Sequence, residues 1–282
     1  MPAYKPLPKA RKLFTAALRQ LWSQKKLFGG IVIIYGALNL LLVHGFGGNG
    51  DVTNIKALLD SLVHGFGGRL TSAAATFLTL LASSGGTQSE VSSVYQTLLL
   101  LVFSLAFIWA LRQTLAKHKV RVRDSFYQGL YPLAVFFLVF LLLCVQLLPL
   151  VLGSSLYGTV VSNGIVVYWW EKAIFIAVFA LAALWSLRMV TASIFALYIA
   201  TLPDMTPLAA YRSARQLVYG RRLLIWRKII FLPVVLVLLA ALVEVPLIFL
   251  FTPAAVWMFF VLGIVALPVV HGYLYNLYRE ML

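Results

Sequence analysis

Three ionisable residues, Arg188, Glu244 and His271, stand inside long apolar runs of a 282-residue chain. An ionisable group at membrane depth is costly, and by default it marks a function. Arg188 lies about 14 residues from the inner end of its run, and Glu244 about 14 residues from the inner end of another. At a helical rise of about 1.5 Å per residue, both would sit roughly 21 Å from the same side. Matched depth makes Arg188 and Glu244 candidates for an intramembrane ion pair. Such a pair can be a clasp that fixes which helices meet, or part of a substrate or proton pathway. His271 is nearer the inner face. It is a candidate for a polar pathway or for a hydrogen bond to a neighbouring helix. If the helix that carries Arg188 tilts or extends out of the bilayer, the guanidinium snorkels to the inner interface instead.

Other chemistry is sparse. The string Leu-Val-His-Gly-Phe-Gly-Gly occurs twice, at 42–48 and 62–68, and places His44 and His64 on glycine-rich turns. Without a cysteine or carboxylate at ligand spacing, these histidines read as parts of interfacial turns, and no metal or cofactor is expected. The single cysteine, Cys144, lies in an apolar run and is expected to be a buried, inert thiol. Zinc-protease, P-loop and dinucleotide fingerprints do not occur, and Gly153-Ser154-Ser155 is not an intramembrane serine-protease motif. No catalytic residue is assigned, and the expectation is a non-enzyme.

The elements that must position these residues are set by composition. Hydrophobic residues make up 62% of the chain, charged residues 11%, and the mean hydropathy is +0.95. Soluble domains are about 45–50% apolar and about 25% charged, so a bilayer must serve as solvent. Apolar runs of about 20 residues span it as helices, because lipid offers backbone groups no other partner. Six runs qualify: 27–46, 94–111, 130–152, 173–202, 230–251 and 255–277. The expected fold is an all-α polytopic transmembrane bundle, one domain over 27–282, with its spans in three hairpins. The fifth and sixth runs meet at Thr252-Pro253. Within the outer loop, 47–93, the stretch 70–82 is mildly apolar and too short to span, and 83–90 reads as a linker. The first run has a long basic leader and no small-residue cleavage site, so it reads as a retained anchor.

Charge sets the orientation. Seven Lys and Arg precede the first run, five follow the second, six follow the fourth, and Arg279 lies near the end. The opposite side holds Lys56, Arg69 and Lys172. This positive-inside bias puts both termini in the cytoplasm of an inner-membrane protein, and it accounts for the net charge of +15 without nucleic acid. Tryptophans mark the boundaries: Trp22, Trp109 and Trp226 inside, Trp169, Trp170 and Trp257 outside. Two basic amphipathic helices are expected in the inner headgroup plane. One lies in the segment 1–26, with Leu13, Phe14, Ala17, Leu18, Leu21 and Trp22 on one face. The other spans 206–224, opening with Thr206 as N-cap and Pro207 at the first helical position. Arg11, Lys12 and Arg19 on the first, with Arg212, Arg215 and Arg222 on the second, are the expected contacts to anionic lipid headgroups.

The stretch Thr201-Leu202-Pro203-Asp204, then Pro207-Leu208-Ala209-Ala210-Tyr211-Arg212-Ser213-Ala214-Arg215, then Gly220-Arg221-Arg222, resembles a group of uncharacterised six-span bacterial membrane proteins. In pattern that group is related to the membrane domain attached to some glycerophosphoryl diester phosphodiesterases. The resemblance covers roughly 130–251. It implies a multi-helix membrane unit with a basic interfacial helix. It implies no activity, because the catalytic part of those enzymes is a separate soluble barrel. The outer loop is longer than the resemblance leads one to expect. The functional expectation is a non-enzymatic membrane subunit or scaffold, acting through lipids, a protein partner or a second copy of itself. The alternative is a transporter or channel for a small solute or lipid.

Overall fold

The computed structural model describes residues 7–44, 66–83, 90–162 and 168–282. Among the described residues, ten α-helices follow one another and there is no strand. They are α1 (Ala10–Ser23), α2 (Lys25–Asn39), α3 (Phe66–Ser83), α4 (Glu90–Leu115), α5 (Val122–Gly129), α6 (Leu133–Tyr157), α7 (Trp169–Ile199), α8 (Pro207–Val218), α9 (Arg222–Leu250) and α10 (Thr252–Met281). Single π-helical turns, Leu40–His44 and Gly158–Ser162, extend α2 and α6. Among the described residues, six segments are long and apolar enough to cross a membrane: Lys25–Val43, Val91–Leu115, Leu133–Val160, Trp169–Ile199, Arg222–Leu250 and Thr252–Met281. The chain is an all-α polytopic bundle. Its fourth span is one unbroken helix of 31 residues. Residues 62–65 of the second histidine-containing copy, including His64, the side chain of His44, and the linker residues 84–89 lie outside the described residues.

The chain divides into two compact units. The first comprises Met1–Leu130 and Ile229–Glu280. Its central helix is α4, which buries 56% of its apolar stretch. Phe103 meets Tyr35 of α2 at 5.0 Å between ring centroids and Phe126 of α5 edge-on at 5.2 Å. One turn on, Phe107 stacks on Phe28 of α2. The short helix α5 comes close to α4 because its last residue is glycine: a Cβ at Gly129 would stand 3.3 Å from the Ala106 backbone. The expected apolar face of α1 is divided. Leu13 and Ala17 are buried, with Ala17 against Gly272 of α10, while Leu18 and Trp22 remain exposed. Part of the face expected to meet lipid therefore packs on protein. The outer-loop helix α3 places Ala73, Phe77 and Leu80 in an apolar cluster with Ile248 of α9 and Ala255 of α10.

The second unit comprises Tyr131–Lys228, with the last two residues, Met281 and Leu282. In it α6 and α7 pack side by side, and α8 packs on α7. Thr206 caps α8 by accepting the Ala209 N–H at 3.3 Å, and Pro207 opens the helix. The amphipathic helix ends at Val218, short of the expected 224. Gly220 takes a left-handed conformation at φ +76°, which breaks the helical course and lets a new helix start at Arg222. Arg222 thus belongs to the first turn of the fifth span. Cys144 is exposed, which corrects the expectation of a buried thiol. It sits two residues from buried Gln146, and in a helix that spacing points the two to different sides.

Candidate functional site, a three-arginine cleft

Two faces of α7 organise the second unit. One turns to α6 and carries Ser186 and Ser193, spaced by two helical turns. Ser193 Oγ donates to Gln146 Oε1 at 2.6 Å, and Ser186 Oγ donates to the Gln146 carbonyl. All three residues are buried. In an apolar medium such bonds hold helices together where hydrophobic contrast with lipid is absent. Gly153 assists, since a Cβ there would stand 3.2 Å from the Phe179 ring. The sequence signal for this lock was one glutamine in an otherwise apolar run, and it was not read. Gln146→Leu strands the Ser193 hydroxyl and is expected to cost about 1–2 kcal/mol. Adding Ser193→Ala should bring stability back to within about 0.5 kcal/mol of the parent in a double-mutant cycle. Strictly additive losses would show that the two side chains do not interact.

The other face of α7 carries Leu184, Trp185, Arg188, Met189 and Ala192, at i, i+1, i+4, i+5 and i+8. With Tyr211 and Arg215 of α8 and Arg222 of α9, these residues line an open cleft of about 500 Å³. Small residues set this geometry. Ala192, Ala210, Ala214 and Val218 are buried, so α8 lies close along α7 and its Arg215 lines the cleft. Three arginines from three helices, Arg188, Arg215 and Arg222, are among the residues that line it. Among the described residues, no carboxylate lines the cleft. Gathered like charges repel, and a bound anion relieves that repulsion with charge-assisted, bidentate hydrogen bonds. Tyr211 and Trp185 add a phenol and an indole N–H as further donors.

The residues singled out by sequence fall in different places. Arg188, Arg215 and Arg222 come together. Arg212 is exposed on α8 outside the cleft, and Arg11, Lys12 and Arg19 are exposed on α1 in the first unit. Glu244 lies in the first unit, whereas Arg188 lies in the second. Glu244 is 0% exposed, and neither carboxylate oxygen has a hydrogen-bond partner among the described residues. His271 Nε2 is 3.0 Å from Ser104 Oγ, and its ring stacks on Phe107. Among the described residues, no group of three or more His, Cys, Asp or Glu is placed to hold a metal ion. Sequence reading missed Trp185 and Tyr211 as walls of the cleft. The signal that could have found Trp185 is its place in mid-run, away from the boundaries where the other tryptophans fall. No family model, curated protein or solved structure matches the chain.

Proposed function

We propose that this protein is a non-enzymatic inner-membrane subunit or scaffold, with both termini cytoplasmic, that works by holding anionic phospholipid at the cytoplasmic headgroup level. The observation that carries this reading is that Arg188, Arg215 and Arg222 line one cleft with no carboxylate in its lining among the described residues. The cleft lies beside exposed apolar side chains of a spanning helix, where a lipid places its phosphate above its chains. Arg11, Lys12 and Arg19 on α1 add a second basic surface with the same sign. A protein partner or a second copy of the chain is compatible with the same role.

Native extraction into lipid nanodiscs, with mass spectrometry of all that co-purifies, tests this proposal. Anionic phospholipid should be enriched over the bulk membrane, with or without a stoichiometric protein. Lipid at bulk proportions and no partner would overturn the scaffold reading.

A second reading, a transporter for a small solute or lipid, is favoured by one observation: the buried carboxylate of Glu244 without a hydrogen-bond partner among the described residues. Substitution by glutamine separates the two. Transport of a solute through the bundle should collapse in Glu244→Gln, whereas lipid enrichment should persist.

A further inference from the structure

The cleft on α7 has a second property besides its charge. Leu184 is 61% exposed and Trp185 64% exposed, and both stand beside Arg188 on the same helical face. Leu181, one turn towards the start of α7, is exposed as well. A polar cluster is therefore continuous with an apolar strip that runs along a spanning helix. A soluble anion would use the arginines and leave the strip bare. A lipid uses both: its phosphate among the guanidiniums, its acyl chain along Leu181, Leu184 and Trp185.

The number of cations narrows the headgroup. A phosphodiester lipid carries one negative charge, and common zwitterionic headgroups add a cation that three arginines would repel. A phosphomonoester carries about −1.5 to −2 charges at neutral pH and three acceptor oxygens. Those oxygens can take paired N–H donors from separate guanidinium forks. Its headgroup is also compact enough for a cleft of about 500 Å³. We infer that the cleft formed by Arg188, Arg215, Arg222, Tyr211 and Trp185 is a site for one lipid with a terminal phosphomonoester headgroup, such as a diacylglycerol phosphate. The inference rests on the anionic-lipid reading above and specifies its ligand class.

The test uses the full chain in phosphatidylcholine nanodiscs doped with equal mole fractions of phosphatidic acid or phosphatidylglycerol. Lipid retained per protein is then counted by native mass spectrometry. The expected result is one retained phosphatidic acid per chain, preferred over phosphatidylglycerol by roughly tenfold. Arg188→Gln should reduce retention roughly tenfold. Arg188→Lys, which keeps the charge and loses the fork, should fall between Arg188→Gln and the parent. Lys119→Gln, on an exposed loop of the first unit, should leave retention unchanged. Equal retention of the two lipids would overturn the phosphomonoester inference and leave the broader lipid reading standing. Retention of neither above phosphatidylcholine would overturn both. Complete displacement of phosphatidic acid by inorganic phosphate alone would assign the cleft to a soluble anion and overturn the lipid assignment. The comparison of lipids on the parent protein decides the matter even where an arginine variant does not fold.

Discussion

Replacing Glu244 with leucine is expected to stabilise the protein, by about 1–3 kcal/mol. Both carboxylate oxygens are buried and accept no hydrogen bond from the described residues. One turn away on α9 lies Ile248, in an apolar cluster that Ala240, Ala241 and Val245 border. A polar group held in such surroundings without a partner lowers stability by its full desolvation cost. Leucine is close in volume, so removing the polar atoms leaves little cavity and adds dispersion contacts. Glu244→Gln keeps the shape and most of the polarity, and should recover much less. Thermal unfolding of the purified protein, compared across the three side chains, makes the measurement. A loss of stability in Glu244→Leu would mean that the carboxylate has a partner and that the apolar description of its site is wrong. A gain would carry a second meaning. A residue kept at a cost to stability is usually kept for what it does, so a gain would strengthen the transport reading at this position.

The spans were legible because a bilayer imposes a length that few other constraints mimic. Each of the six runs matched one helix, and the Thr252-Pro253 junction marks the start of α10 directly after α9. Helix ends were less legible, since apolar helices extend beyond the hydrocarbon. The third span continues through a π-helical turn, and the fifth begins at Arg222 among basic residues. The assignment of Arg222 turned on Gly220. An amphipathic pattern continues across that residue, but its left-handed backbone does not continue the helix. The cleft was legible only in part. Arg215 and Arg222 stood out as headgroup contacts, and snorkelling was an open course for Arg188. What periodicity cannot report is which face of α7 meets α8. Buried alanines decide that, and alanine carries no signal of its own in an apolar sequence. The lock between Gln146, Ser186 and Ser193 was harder to read for a related reason: the glutamine is conspicuous in an apolar run, but its partners follow from the register between two helices, which the sequence does not report.

Phe103→Ala is expected to cost about 2–3 kcal/mol, nearly all of it from the cavity left behind. Phe103 is 1% exposed at the junction of three helices, in ring contact with Tyr35 of α2 and Phe126 of α5. In a soluble protein the lost burial from water would add to that figure. In a bilayer it does not, because lipid tails are as apolar as the ring, so only packing and ring–ring contacts are forfeited. Phe103→Leu, which fills much of the space, should lose about half as much. Phe137 supplies the comparison, since it is exposed on α6, and Phe137→Ala should stay within about 0.5 kcal/mol of the parent. Unfolding in a bilayer, followed by steric trapping, reads these differences directly. Equal effects at Phe103 and Phe137 would show that helix association in the first unit does not depend on the aromatic junction. A loss confined to Phe103 would identify that junction as what holds α2, α4 and α5 together where hydrophobic contrast with the solvent is absent.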